Sequence, residues 1–260
     1  MGSRIVTLTT DFGVIDPFVG IMKGVMLSIN PALQCVDLSH QIEPHDILGG
    51  ALVIHASYSY FPPQTIHLVV VDPGVGSERR PILAICGDYF FLAPDNGVLS
   101  TIYEESSPTR VIALSVARYF RREISRTFHG RDIFAPVAAW LSKGVAPLDF
   151  GQEIRDYTRF HLPKPDSSGG EIQGEVLYVD RFGNLTTNIS GSFLKEGGSL
   201  KVEIKSIIID RLCQFYGEKK EGEIGAIINS WGYLEIFRYG GSAQRFLDAR
   251  RGDEVRLSFV

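Results

Sequence analysis

The chain has 260 residues, 44% of them apolar and 22% charged, with a formal net charge of −4. That length can bury a sizeable core in one large domain or two smaller ones, and the absence of any Lys/Arg-rich run leaves a nucleic-acid partner without an electrostatic footprint. Three scattered cysteines, Cys35, Cys86 and Cys213, form no Cys-x-x-Cys pair, which argues against a disulfide framework or structural zinc site, and no apolar run approaches membrane-spanning length.

The start, Met1-Gly2-Ser3-Arg4-Ile5-Val6, enters a strand directly and leaves no room for a signal peptide. Val6 stands where a myristoylation signal needs Ser or Thr, so a soluble cytoplasmic protein is expected. Arg4 to Thr10 reads as a strand ending in the loop Asp11-Phe12-Gly13. Asp16-Pro17 reads as a helix start, with Asp16 as N-cap, followed by Phe18, Ile21, Met22, Val25 and Met26 at helical spacing. A short strand follows from Gln34 to Leu38, then a helix from His45-Asp46 to about Tyr58. The β-branched run from Ile66 to Asp72 reads as a buried strand that feeds the turn Pro73-Gly74-Val75-Gly76-Ser77-Glu78-Arg79. Gly87-Asp88 signals a hairpin between Ile82–Cys86 and Tyr89–Leu92. A helix is expected from Val98, a strand over Val111–Leu114 and an apolar helix over Asp132–Leu141.

Strands alternating with helices predict an α/β N-terminal domain with a mainly parallel central sheet, residues 1–163. A Pro/Ser/Gly-rich linker follows at 164–170. Beyond it short strands separated by Gly-rich turns dominate 171–260, with one short helix near Ser242–Leu247, which predicts a small C-terminal β-barrel or sandwich.

Loop signatures sit at these strand ends: Thr10-Asp11-Phe12-Gly13, Asp72 to Arg79, Ala93-Pro94-Asp95-Asn96-Gly97, Phe128-His129-Gly130-Arg131-Asp132, Asp180-Arg181-Phe182-Gly183-Asn184 and Asn229-Ser230-Trp231-Gly232-Tyr233-Leu234. Gly beside a polar residue at a strand end suits a ligand-facing loop, and equally any tight turn. Asp72 with Arg79 fits either a reactive pair or a solvated ion pair. Gly74-x-Gly76 lacks the third glycine of a dinucleotide fingerprint, and neither a P-loop nor a Gly-x-Ser-x-Gly elbow is present. Asp11, Asp72, His129 and Asp132 match metal ligands by type but not by spacing.

Taken in this order, the six motifs resemble the S-adenosyl-L-methionine hydrolase family, the SAM hydroxide adenosyltransferases, over essentially the whole chain. That family is related to the fluorinase and chlorinase that make 5′-halo-5′-deoxyadenosine. The resemblance implies that Asp72, Arg79 and His129 activate water and that Asp11 holds the ribose hydroxyls. Asp16, Asp180 and Ser230 would hold the ends of the methionine portion. Phe182, Asn184, Arg238 and Gly240 would lie on the adenine side, with Tyr216 stacking on the base. It further implies an α/β domain followed by a β-barrel and a homotrimer with the ligand between subunits. The substrate would be S-adenosyl-L-methionine and the product adenosine, with no cofactor, no metal, no nucleic acid and no membrane. Halogenating relatives carry hydroxyl or small residues at the positions of Asp72, Val75 and His129, and a carboxylate there repels a halide. The hairpin Cys86-Gly87-Asp88-Tyr89 is tight where the fluorinase has an insertion nearby. His45 and Trp231 replace an aromatic and a carboxylate-binding arginine, which bears on methionine-end recognition. A halide-dependent adenosyl transferase and a non-catalytic adenosyl-binding protein are the alternatives.

Overall fold

A computed structural model describes residues 5–168, 170–194 and 200–259. Arg4 and the three residues before it, Gly169 of the expected linker and Val260 lie outside the described residues. The chain divides into two compact units, one ending at His161 and the other beginning at Leu162.

In the first unit the order is β1 (Ile5–Thr10), α1 (Phe18–Ile29), β2 (Gln34–Ser39), α2 (Ile47–His55), β3 (Ile66–Val70), β4 (Pro81–Cys86), β5 (Tyr89–Pro94), α3 (Ser100–Glu105), β6 (Arg110–Leu114), α4 (Ala135–Ser142) and β7 (Gly151–Glu153). The strands form one seven-stranded sheet in the order β2-β1-β3-β5-β4-β6-β7. The first four are parallel, and antiparallel pairings then join β5 to β4, β4 to β6 and β6 to β7. The sheet is therefore mixed, with a parallel beginning, because the tight Gly87-Asp88 turn reverses the chain and pairs Cys86 with Tyr89. Side chains alternate across it. Val6, Leu8, Leu68 and Val70 join Met22 and Met26 of α1 and Val137 and Leu141 of α4 in one core. Val69, Ala84 and Phe91 join Ile54 of α2 and Ile102 of α3 in another, so both faces are covered and the central strands β1 and β3 are buried, their few polar side chains, such as Thr7 and His67, included.

Several expected boundaries move. α1 begins at Phe18 with Pro17 at the cap position and no side-chain cap, so Asp16 does not cap it and is exposed. α2 starts at Ile47, where Asp46 accepts from Gly49 N, and ends at His55. His45 has φ 68, outside the helical region, and Tyr58–Tyr60 form a separate 3₁₀ turn. The expected Asp132–Leu141 helix is a π turn over Gly130–Phe134 followed by α4, with Pro136 in its first turn. Neither β7 nor a strand over Ile207–Ile209 was legible, both being three residues long. All three cysteines are free; Cys86 and Cys213 are buried, Cys35 only partly so.

The second unit contains β8 (Ile172–Val179), β9 (Leu185–Ser190), β10 (Leu200–Ile204), β11 (Ile207–Ile209), β12 (Ile224–Ile228), β13 (Tyr233–Arg238), α5 (Ala243–Leu247) and β14 (Glu254–Phe259). Every neighbouring pair in the order β11-β10-β14-β8-β9-β13-β12 is antiparallel. A parallel bridge between Leu212 and Ala226 brings the segment after β11 to β12, so the sheet nearly closes into a barrel. Val176, Leu185, Val202, Leu234, Ile236, Val255 and Leu257 fill it. Asp166 and Gln173 exchange backbone hydrogen bonds at 2.8 Å, so part of the Pro/Ser-rich stretch lies along β8.

Candidate active site

The parallel part of the first sheet aims its carboxyl ends at one place. Thr10 of β1 and Val70 of β3 are register partners, so Asp11 and Asp72 leave adjacent strand ends, as ligand-facing groups of open α/β sheets do. Beyond Val71 the chain turns tightly: Ser77 N and Oγ both donate to Gly74 O, and Ser77 Oγ accepts from Arg79 N. This turn carries Arg79 back onto Asp72. Arg79 Nε donates to Asp72 Oδ1 at 2.9 Å, and Nη2 donates to Asp72 Oδ2. Nη2 also lies 2.9 Å from Nδ1 of His129. The Asp72 and Arg79 side chains are only 4% and 9% exposed, so this is not a solvated surface pair. Phe134 lies beneath the guanidinium. Arg79 Nη1 is buried with no partner among the described residues.

His129 reaches the pair from the loop before α4. Burial, and next the Arg79 charge, push its pKa below the ordinary imidazole value, so it is neutral near pH 7. Asp132 fixes this loop. It is fully buried, accepts from Arg131 Nε at 2.7 Å and from Ser125 N at 2.8 Å, and lies 3.0 Å from Arg121 Nε. Asp132 therefore braces the segment that presents His129. Gly76, at φ 77, packs against the same segment so closely that a Cβ would stand 2.1 Å from Arg126 O. Ala93–Gly97 also braces: Asp95 pairs with Arg80 at 2.6 Å, and Asn96 Nδ2 donates to Val71 O at 2.8 Å.

Asp11 projects from a loop held on two sides. His40 Nδ1 lies 2.9 Å from Thr10 Oγ1, and His40 O accepts from Gly13 N at 2.7 Å. Asp11 Oδ2 accepts from His45 N at 2.9 Å, and that bond accompanies the left-handed backbone at His45. Phe12, Phe18 and Phe128 meet edge to face, with centroids 5.4–6.0 Å apart, and so pack the Asp11 loop against the residue preceding His129.

In the second unit a cavity of about 550 Å³ is lined by Asp180, Phe182, Asn184, Tyr216, Arg238 and Gly240 together with Phe237 and neighbouring residues. Its size suits a nucleoside-sized ligand. Asp180 accepts from Phe182 N at 2.9 Å and Asn184 N at 2.8 Å, which shapes the turn that exposes the Phe182 ring. The Tyr216 ring stands edge-on to Phe237 at 4.8 Å, and its hydroxyl donates to Glu235 at 2.9 Å. Ser230 is exposed on the turn between β12 and β13 and does not line the cavity, and Asp16 is exposed before α1.

Three contributors escaped the sequence reading: His40, Asp132 as a brace, and Glu235. Each is a polar residue inside or beside an apolar run, a signal for burial with partners that needs the fold to name them. Among the described residues, no group of three or more His, Cys, Asp or Glu is placed to hold a metal ion, and no helix is long and apolar enough to cross a membrane.

Comparison with known proteins matches both units. Residues 6–151 match the model of the SAM hydroxide adenosyltransferase N-terminal domain and residues 174–256 that of its C-terminal domain. The (R)-S-adenosyl-L-methionine hydrolase of Salinispora tropica is 35% identical, over 97% of this chain and 97% of that protein. The enzyme of the same name from Thermus thermophilus is also 35% identical, over 98% of this chain and 99% of its own. The solved structure of an uncharacterized conserved protein from Thermotoga maritima superimposes with a TM-score of 0.91 at 34% identity, covering 98% of this chain and 100% of that one. With an acid, a guanidinium and an imidazole gathered at the strand ends of one unit, a nucleoside-sized cavity in the other and both domain models matched, the chain belongs to the SAM hydroxide adenosyltransferase family.

Proposed function

We propose that this protein hydrolyses S-adenosyl-L-methionine to adenosine and L-methionine. The observation that carries the reading is the buried Asp72–Arg79–His129 cluster at the end of β3. The sulfonium already makes C5′ of the ribose electrophilic, so what the reaction lacks is a nucleophile in place. Water attacks C5′ in line with the C–S bond. The O–C5′ bond forms, the C5′–S bond breaks with its electron pair going to sulfur, and the water proton passes to Asp72. Arg79 stays protonated throughout, and its unpartnered Nη1 is the donor that would hold and orient the water. Holding water and carbon at attack distance can be worth roughly 7–11 kcal/mol, more than general-base help at roughly 10²–10⁴-fold, so pre-organisation carries most of the rate.

On this reading Asp11 holds the ribose hydroxyls. The second-unit cavity takes the adenine side with Phe182, Asn184, Tyr216, Arg238 and Gly240. Asp16, Asp180 and Ser230 serve the methionine ends. The chain acts in the cytoplasm as a homotrimer without cofactor, metal, membrane or nucleic-acid partner. A halide-dependent transfer is the weaker reading, because Asp72 puts a carboxylate where the halide would sit.

The test is incubation with S-adenosylmethionine in ¹⁸O-labelled water, using the R and S sulfonium forms separately, with and without chloride and chelator. Adenosine carrying ¹⁸O at the 5′ hydroxyl, in undiminished amount with chelator, is the expected product. Unlabelled adenosine, or 5′-chloro-5′-deoxyadenosine, would remove this mechanism. Sedimentation gives the oligomeric state.

A further inference from the structure

Glu235 is an acid in the middle of an apolar strand. It is 4% exposed, while its neighbours Leu234, Ile236 and Phe237 on β13 are 0–1% exposed. No cationic side chain pairs with it among the described residues, and burial, with Asp180 nearby, pushes its pKa up. A buried carboxyl without a counter-charge is costly, and a strand that needed only to pack would carry an apolar residue here. Its two oxygens serve different segments. Oε1 accepts from the Tyr216 hydroxyl at 2.9 Å, and Oε2 accepts from Asn229 Nδ2 at 3.1 Å.

The Asn229 contact has a directional consequence. With Nδ2 turned to Glu235 and to Thr186 Oγ1, Asn229 Oδ1 faces the backbone and accepts from Trp231 N at 3.0 Å and Tyr233 N at 3.2 Å. Those bonds fold the turn that carries Ser230. At its other oxygen Glu235 ties down Tyr216, whose ring lines the cavity and is otherwise held edge-on by Phe237. One buried acid thus grips an aromatic wall of the cavity and the turn between β12 and β13.

We propose that Glu235 is a positioning residue for ligand binding: it fixes the Tyr216 ring and the Asn229–Tyr233 turn relative to each other, so that the cavity meets its nucleoside preformed. The proposal rests on the reading of that cavity as the adenosyl site. Loss of the grip lets Tyr216 leave its place and the Asn229 amide rotate, and the ordering cost is then met on binding.

The test is adenosine affinity by calorimetry, with steady-state kinetics, on the full chain. Glu235→Leu keeps the volume and removes both acceptors; it is expected to weaken adenosine binding roughly tenfold or more and to raise KM more than it lowers kcat. Glu235→Gln accepts from Asn229 and donates to the Tyr216 oxygen, and is expected to bind within about threefold of wild type. Tyr216→Phe keeps the ring and loses one bond, for roughly a two- to tenfold loss. Combined with Glu235→Leu it should add nothing further. Glu235→Leu binding as tightly as wild type, or additive losses in the double variant, would overturn the proposal. Should Glu235→Leu not fold, Tyr216→Phe decides alone: wild-type affinity there overturns it and the stated loss supports it. Wild-type protein that binds no adenosine would instead overturn the cavity reading, and this proposal with it.

Discussion

Arg79 sets an N–H on Nδ1 of His129 at 2.9 Å. A guanidinium carries donors only, so Nδ1 must be the accepting nitrogen and the imidazole proton sits on Nε2. His129 then offers a donor to a bound water and cannot take its proton without releasing Arg79. Asp72 retains lone pairs beyond the two used by Arg79, which is why the proposed mechanism gives it the water proton.

Asp72→Asn should therefore lower kcat by roughly 10²-fold or more, the lower end of what a positioned base supplies plus the loss of Arg79's partner. His129→Ala removes one hydrogen bond and should cost about tenfold. Single-turnover rates of the two variants check this; the opposite order would make His129 the base.

Arg79→Ala should lower kcat far more than it raises KM, because in the proposed mechanism Arg79 orients the attacking water rather than binding the ligand. Arg79→Lys should not rescue it. An ammonium is a point charge and cannot hold both carboxylate oxygens, the His129 nitrogen and a water in one plane. Paired measurements of kcat and adenosine affinity read the split, and an unchanged kcat in either variant takes Arg79 out of the reaction.

The proposed mechanism needs His129 neutral, and burial with the Arg79 charge moves its pKa below the usual value of 6.5. Activity that needs the neutral ring is present above the folded-state pKa and is lost as pH falls through it. The rate should thus stay level through pH 6.5 and decline only on the acid side. A proton NMR titration of the His129 ring should show a midpoint below that of a free imidazole, and a midpoint at or above it would contradict the geometry.

The strands were legible because both faces of β1 and β3 are covered, and continuous β-branched runs bounded by Gly, Pro and Asp have few other readings. The motifs placed Asp72, Arg79 and His129 as candidates, but nothing in the spacing shows that residues 7 and 50 apart touch. Only the resemblance joined them in advance. Asp132, expected at the start of a helix, lies in a π turn with its carboxylate tied to Ser125 and Arg131, and periodicity carries no trace of such side-chain bonds. Asp16 fails as a cap for a local reason, since Pro17 occupies the cap position itself.

Gly76→Ala tests how closely the Asp72–Arg79 turn and the loop bearing His129 must approach. At φ 77 an alanine is strained, and its Cβ would stand 2.1 Å from the Arg126 carbonyl oxygen. Backbone cannot yield as a side chain does, so the Asp72–Arg79 turn must move away from the loop that bears His129. A stability loss of roughly 1–3 kcal/mol is expected from the strain. A fall in kcat is expected as well, because small displacements of positioned groups are costly to the rate. Thermal melts and kcat together read this; a variant of full activity would show that the approach of the loops is structural only.

His67 predicts how the fold itself responds to acid. It is fully buried between β1 and β5, with Nδ1 2.7 Å from Thr7 Oγ1 and its ring stacked on Phe91 at 5.1 Å among Tyr58, Phe61 and Tyr89. Burial pushes its pKa down to about 3. The unfolded chain binds a proton near pH 6.5 that the folded chain refuses until far lower, so between those values the unfolded state holds more protons. Stability is then full above pH 6.5 and falls by about 1.4 kcal/mol per unit as pH drops toward 3. His67→Phe matches the aromatic surroundings and cannot charge, so this part of the slope should vanish, leaving Thr7 with one lost bond at every pH. Denaturant unfolding at a series of pH values compares the two proteins. Parallel curves between pH 6.5 and 4 would mean that His67 already accepts its proton in the folded state, and that the aromatic box around it is open to water.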